Sequence, residues 1–298
     1  MLRIGIDLGG TKTEGIAMDE AGKILLRERL PTPQAEGYDA ILQNIYTLVR
    51  DLEKKTGQTC HVGIGTPGAI SARTGRLKNS NTVCLNNRPI RTDLEKILQR
   101  PIRLANDANC FALSEALDGA GKDHGVVFGV ILGTGVGGGI VFHGKLHEGP
   151  QHIGGEWGHN ILEPDGPPCY CGKRGCVETF LSGPGLVRDY AAHGGDDTLA
   201  AKDIVLLAEK GNSRAEAALQ RYLERFGRAL SVVINILDPD AIVLGGGMSN
   251  IARLYTDGRH SVARHVFNDE LRTKILPHVH GDSSGVRGAA QLWSPQEP

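Results

Sequence analysis

The chain has 298 residues, 40% hydrophobic and 22% charged, which excludes a disordered or fibrous chain and fits a soluble globular protein of two domains. Its 33 basic and 34 acidic residues leave a formal charge of -1. That excludes the positive field that draws nucleic acid or an anionic membrane, and leaves a small molecule as the default partner.

The first expected element is a strand beginning at residue 2. With no basic region and no uninterrupted apolar run before it, MLRIGIDLGG does not read as a secretion signal, and the expected compartment is the cytoplasm. A turn at Gly9, Gly10, Thr11 and Lys12 joins this strand to a second apolar stretch ending at Glu20-Ala21-Gly22, which reads as a β-hairpin. Asp7 stands beside that turn. A carboxylate there repels a bound phosphate unless a cation intervenes, so Asp7 is a candidate Mg²⁺ partner through water, with local backbone capping as its alternative role.

Pro101 to Ala105 reads as a strand and Ala108 to Leu117 as a helix. Asn106 and Asp107 then lie at a strand's carboxyl end, where open α/β sheets place ligands. Both residues are also favoured helix N-caps, so capping competes with chemistry at this pair. Phosphoryl transfer to an alcohol needs a carboxylate to accept the hydroxyl proton, and Asp107 is the candidate base.

Val126 to Phe142 is the longest uncharged stretch, but six glycines interrupt it, so it reads as two buried strands around a turn and not as a membrane span. GVILGTGVGGGIV from Gly129 superposes on GIDLGGTKTEGIA from Gly5 at a constant offset of 124 residues. The match of Gly133, Gly135 and Gly138 to the G-x-G-x-x-G fingerprint is discounted because no helix can follow it, and no P-loop is present. Two glycine hairpins remain, the second with its turn at Gly133, Thr134 and Gly135. Facing across a cleft, their bare backbone N–H groups can hold one polyphosphate, although either turn alone can be a simple tight hairpin.

Glu156-Trp-Gly-His159 and Glu178 offer groups for sugar hydroxyls through charge-assisted bonds, with Asn81 and Asn106 completing the shell. His159, Cys169, Cys171 and Cys176 fall within 18 positions and form a complete tetrahedral set for a structural Zn²⁺. A disulfide or three unrelated thiols is the competing reading. Cys60, Cys84 and Cys110 read as small core residues. Ser213 to Leu237 has helical spacing and stops at Asp238-Pro239. The strand Ala241 to Leu244, the turn Gly245, Gly246 and Gly247, and a helix expected from about Ser249 form an adenosine-sized notch.

Assembled, Asp7-Leu-Gly-Gly-Thr-Lys-Thr13, Asn106-Asp-Ala-Asn109, Gly133-Thr-Gly135, Glu156-x-x-His159 and the cysteine cluster make the chain resemble the ROK family of sugar kinases and repressors over essentially its whole length. Arg103-Leu-Ala-Asn-Asp-Ala-Asn-Cys110, Pro168-Cys-Tyr-Cys-Gly-Lys173, Glu178-Thr-Phe180 and Gly281-Asp-Ser-Ser-Gly-Val-Arg-Gly288 are most similar to bacterial fructokinases that also accept mannose, with the family's N-acetylglucosamine kinases next. The resemblance implies an α/β, two-domain actin-like ATPase (ribonuclease H-like) fold with a central cleft and a small zinc loop. It further implies ATP with Mg²⁺, phosphorylation of a hexose 6-hydroxyl, Asp107 as base, Glu156, His159 and Glu178 as sugar ligands, and a homodimer.

The expected domains are 1–117, with a final helix at 284–298 packing back on it, and 118–283, carrying the zinc loop at 159–176. A sugar-responsive repressor is the rival from another class; it is disfavoured because no helix-turn-helix module precedes the first strand. A silent sugar-binding protein leaves Asp7 and Asp107 together unexplained.

Overall fold

A computed structural model describes residues 1–295 of the chain. The first part runs β1 (Arg3–Leu8), β2 (Lys12–Met18), β3 (Ile24–Pro31), α1 (Tyr38–Thr56), β4 (His61–Thr66), β5 (Ala69–Ile70), β6 (Leu77–Lys78), α2 (Ile90–Leu98), β7 (Ile102–Asn106) and α3 (Asp107–Leu117). The second runs β8 (Val126–Leu132), β9 (Val136–Phe142), β10 (Lys145–Leu146), α4 (Glu178–Leu181), α5 (Gly183–Ala192), α6 (Ala201–Glu209), α7 (Ser213–Leu237), β11 (Ala241–Gly245), α8 (Asp257–His265) and β12 (Lys274–Pro277). The helix α9 (Ser284–Gln291) follows.

Each part builds one five-stranded mixed sheet, in the orders β3-β2-β1-β4-β7 and β10-β9-β8-β11-β12. The two orders are the same path: an antiparallel meander, then two parallel strands beside its first strand. The duplication seen in the glycine hairpins therefore extends to whole sheets. Leu8 pairs with Thr13, whereas Leu132 pairs with Val136, so the first glycine turn holds one residue more than the second. Ile4, Ile6, Val62 and Ile64 sit in one apolar core with Ile41, Ile45 and Leu48 of α1. Val130, Leu132 and Leu244 sit in another with Tyr222, Phe226 and Leu230 of α7.

The long helix α7 ends where Asp238 takes a left-handed conformation (φ 45°) ahead of Pro239, as the spacing of its apolar residues and the Asp-Pro pair require. The helix expected from about Ser249 begins instead at Asp257. Two short 3-10 turns, Gly247–Asn250 and Ala252–Leu254, intervene. They are held by bonds from Ser249 Oγ to the Gly246 carbonyl (2.7 Å) and from Tyr255 Oη to the Ser249 carbonyl (2.8 Å).

The chain leaves the second sheet after β12, and α9 packs against β1, β4 and α3. The approach to α3 is close: a Cβ on Gly288 would lie 1.7 Å from the Cys110 carbonyl oxygen, so only glycine fits. Gln296, Glu297 and Pro298, the end of the segment expected to return to the first domain, lie outside the described residues. Among the described residues no helix is long and apolar enough to cross a membrane.

Candidate active site

Asp7, Gly9, Gly10, Asn81, Asp107, Gly246 and Gly247 line one cleft of about 500 Å³, together with Asn250, His278 and Gly285. Asp7 is on β1 and Asp107 opens α3 directly after β7, so the first sheet delivers both carboxylates to a common space. Asn106 is the N-cap of α3: its Oδ1 accepts from Ala108 N (2.9 Å) and its Nδ2 donates to the Gly68 carbonyl (3.2 Å). Capping was offered as the rival role for the pair, and Asn106 performs it. Asp107 also accepts from Ala108 N (2.8 Å) through Oδ1. Water reaches Asp107, yet walls of protein surround it and strip bulk hydration. That loss, with the charge of Glu156 adding to it and the Ala108 N–H opposing, pushes its carboxyl up to about 6.

Half-buried Asp7 is pushed up to about 7, first by desolvation and then by the charges of Asp107 and Glu14, with Lys12 opposing. Asp107 ionises first, and Asp7 titrates facing that charge. An oxygen donor set of this kind, beside backbone N–H groups bare of side chains, suits Mg²⁺ carried by a polyphosphate. The first glycine turn is braced from outside: Thr32 Oγ1 donates to the Gly9 carbonyl (2.8 Å) and Thr32 N to the Thr11 carbonyl (3.0 Å). Sequence reading missed Thr32, because nothing in its spacing ties it to a turn 23 positions away.

The second glycine turn, Gly133-Thr134-Gly135, lies against Glu178, whose Oε2 accepts from Val136 N (2.9 Å). Gly133, Thr134, Gly135, Thr11 and Lys12 are not in the lining of the cleft that holds Asp7 and Asp107. Neither is Gly245, which sits beneath the ring of Phe111. Asn250 and His278 do line it, without a pattern in the sequence that marked them.

Glu156 and His159 flank Trp157, which is buried, donates from Nε1 to the Gly137 carbonyl (3.1 Å) and meets Phe128 edge-on at 5.9 Å. Trp157 thus fixes both neighbours beside β9. Burial raises the Glu156 carboxyl above its usual range, and the Glu178 charge adds to that against His159 and Lys78. The Glu156 charge raises the Asp107 carboxyl, and His159 and Glu178 act on Glu156 in turn, so the expected sugar-shell residues are electrostatically linked to Asp107.

The ligand atoms of His159, Cys169, Cys171 and Cys176 all lie within 4.8 Å of one another. A zinc tetrahedron built from ordinary bond lengths has edges of about 3.8 Å between sulfurs and about 3.6 Å between sulfur and nitrogen. The observed edges are 3.7 Å for Cys171 Sγ to Cys176 Sγ and 3.6 Å for Cys169 Sγ to His159 Nδ1. The donor set fits zinc. His159 therefore presents Nδ1 to the metal position, and its Nε2 lies 3.0 Å from the Tyr170 hydroxyl. The backbone supports this loop too. Gly175, with φ 65°, packs where a Cβ would lie 1.5 Å from the Glu163 carbonyl oxygen, and Leu162 N donates to the Gly175 carbonyl (2.8 Å).

Residues 3–296 match the model of the ROK family. The chain belongs to the ROK family. An N-acetyl-D-glucosamine kinase of Salmonella heidelberg is 39% identical, covering 97% of this chain and 98% of that protein. Among solved structures, a ROK hexokinase from Thermus thermophilus superposes with a TM-score of 0.87 at 31% identity, covering 97% of each chain. A ROK glucokinase from Streptomyces griseus, in complex with glucose and AMPPNP, does so at 0.81 and 29%, covering 98% of this chain and 99% of that one. The ROK fold implied by the sequence motifs is thus present, and the curated relative is a kinase of N-acetyl-D-glucosamine, which matches the second of the two resemblances read from the sequence and not the fructokinase-like one.

Proposed function

We propose that this ROK protein is an ATP-dependent sugar kinase that phosphorylates the 6-hydroxyl of N-acetyl-D-glucosamine. The observation that carries the kinase reading is the pair of raised carboxylates, Asp7 and Asp107, in one cleft with the Gly9-Gly10 and Gly246-Gly247 turns. The substrate is supported by the relative at 39% identity. It takes the alternative offered by the sequence over the first expectation of fructose and mannose.

In this reading Asp107 accepts the proton of the 6-hydroxyl as that oxygen bonds to the γ-phosphorus. The bond from that phosphorus to the bridging oxygen breaks, and the oxygen leaves on ADP. Mg²⁺ carried by the nucleotide would supply charge neutralisation on the polyphosphate. Asp7 would hold that cation through water, and the turns at Gly9, Gly10, Thr11, Lys12 and at Gly133, Thr134, Gly135 offer backbone donors to phosphate. Gly246 and Gly247 border the nucleoside, with Gly245 beneath them. Glu156, His159, Glu178 and Asn81 orient the sugar, and zinc supplies a fixed orientation for the His159 ring. Asn106 contributes chiefly by fixing the start of α3.

The same reading divides the chain into 1–117 with the final helix, and 118–283, and keeps the cytoplasmic setting and the homodimer. Its test is a coupled assay of ADP release against a panel of hexoses. N-acetylglucosamine should give the highest kcat/KM. Fastest turnover of fructose would restore the earlier substrate, and no ADP release with any hexose would remove the kinase reading.

A further inference from the structure

His278 directly follows β12, the edge strand of the second sheet. β12 runs parallel to β11 with Leu244 opposite Pro277, and His278 N donates to the Leu244 carbonyl (3.0 Å), which carries the ladder one residue further. His278 is thereby level with Gly245, at the carboxyl ends of parallel strands, where open α/β sheets take their ligands. Its half-buried side chain lines the cleft of about 500 Å³ together with Gly246, Gly247 and Asn250.

A backbone donor fixes the tautomer of this ring. Gly281 N gives its hydrogen to His278 Nδ1 (2.9 Å), so Nδ1 carries no proton and the neutral ring has its N–H at Nε2. Among the described residues no group accepts from that nitrogen. Asn250, its polar neighbour in the cleft wall, is already engaged, with Nδ2 donating to the Gly247 carbonyl (3.2 Å). His278 is therefore the side chain of this wall that has a hydrogen to give.

The strand order decides which part of a nucleotide meets it. In β10-β9-β8-β11-β12 the second glycine turn joins β8 to β9, and the Gly246-Gly247 turn follows β11. With neighbouring strands about 4.8 Å apart, His278 stands roughly 10 Å from the end of β8, on the far side of Gly246. A nucleotide with its phosphates at the glycine hairpins and its nucleoside along Gly246 and Gly247 brings ribose and base to His278. We propose that His278 binds the nucleoside of the phosphate donor, its Nε2–H donating to an acceptor on the ribose or base while Nδ1 holds Gly281. The proposal rests on the kinase reading and adds to it a residue that recognises the donor and takes no part in phosphoryl transfer.

Two variants separate the two nitrogens. Asparagine puts its carbonyl oxygen near the place of Nδ1 and nothing at Nε2, whereas glutamine puts its amide nitrogen near Nε2 and leaves Gly281 N without its acceptor. ADP and inorganic tripolyphosphate, each with Mg²⁺, are titrated by calorimetry into wild type, His278→Asn and His278→Gln, without turnover. Loss of one neutral hydrogen bond should weaken ADP about fivefold to tenfold in His278→Asn, leave His278→Gln within about twofold of wild type, and leave tripolyphosphate alone in both. With a nucleotide lacking both ribose hydroxyls, a penalty that persists places the acceptor on the base and one that vanishes places it on the ribose; each upholds the contact. Unchanged ADP binding in His278→Asn overturns the proposal, as does equal weakening of ADP and tripolyphosphate. Weakening in His278→Gln alone overturns it too, since the ring would then serve only the turn at Gly281. Wild type that binds neither ADP nor tripolyphosphate is a different failure, that of the kinase reading, and takes this proposal with it.

Discussion

At the scale of single residues, the strongest expectation concerns Asp107. Asparagine in its place keeps the acceptor that caps Ala108 N but cannot take a proton, so Asp107→Asn should lower kcat by at least about a hundredfold while sugar affinity changes less. Steady-state kinetics with separate sugar and ATP titrations decides this, and a variant of nearly full activity would reduce Asp107 to a cap. The raised carboxyls also fix a pH window. A base works ionised, so kcat/KM should fall on the acid side with a midpoint between pH 6 and 7, not near the usual carboxylate value of about 4. Linkage gives the matching sign for stability. Asp7 and Asp107 have folded values of about 7 and about 6, above those of the unfolded chain. Their contribution to stability is therefore present in full below about pH 4 and is lost as pH rises through 6 to 7. Thermal shifts in Mg²⁺ and ATP should accordingly grow between pH 6 and 8, because the cation replaces protons at the same oxygens. A ligand-induced shift independent of pH would place the cation elsewhere.

At the scale of elements, Glu115 ties together three stretches of chain. Buried on α3, its Oε2 accepts from Ala120 N (3.0 Å) and Val279 N (3.1 Å), and its Oε1 accepts from His280 N (3.3 Å) and Ser284 Oγ (2.7 Å). These donors lie on the passage from α3 into β8 and on the passage from β12 into α9. Glutamine has one acceptor oxygen, so whichever way its amide turns it faces two donors with a third. Glu115→Gln should therefore cost about 2–4 kcal/mol of stability, read as a lower urea midpoint, and an unchanged midpoint would deny Glu115 this role.

The loop that carries the Cys-His set has two supports outside that set. Glu163 receives Arg225 Nε (3.0 Å) and Arg228 Nη1 (3.2 Å) from α7, and Arg225 lies over the Phe180 ring at 4.5 Å. Chelation should therefore weaken sugar binding more than ATP binding while the chain stays folded. A cooperative loss of secondary structure on chelation would make the metal essential to the fold. Elements such as these divide what sequence can and cannot reveal. The glycine hairpins, α7, and the Cys-His set were legible because each is a local pattern with a physical period or spacing. Glu115, Thr32 and the Tyr170–His159 bond were not, because a carboxylate meeting donors 164 and 165 positions on leaves no mark in local composition. The start of α8 was misread for a related reason: Tyr255 and Ser249 close 3-10 turns that helical spacing alone does not distinguish from a helix.

At the scale of the whole molecule, the two sheets follow one topology, and the described chain passes between them after α3 and again after β12. Both passages meet at Glu115, and there a second network forms: His280 Nε2 lies 2.9 Å from Asp118 Oδ1, and Arg287 reaches Asp118 and the Gly22 carbonyl. Far from that junction, a bond from Lys78 Nζ to the Gln151 carbonyl (3.2 Å) links the two parts on the exposed side. A tight junction at one end, with an exposed contact at the other, is the arrangement of a hinge. The chemistry asks for movement about it. Asp107 and the first glycine turn face a cleft that the second glycine turn does not line, so the two turns can hold one polyphosphate only if the second approaches the first. Saturating N-acetylglucosamine with a non-hydrolysable nucleotide should therefore lower the radius of gyration in small-angle scattering, and sugar alone should produce part of the change. Because Lys78→Ala removes a contact of small energetic weight on the exposed side, it should leave the compact form intact, whereas Glu115→Gln should loosen it. Scattering curves that superpose with and without ligands would mean that the two glycine turns never serve one phosphate chain.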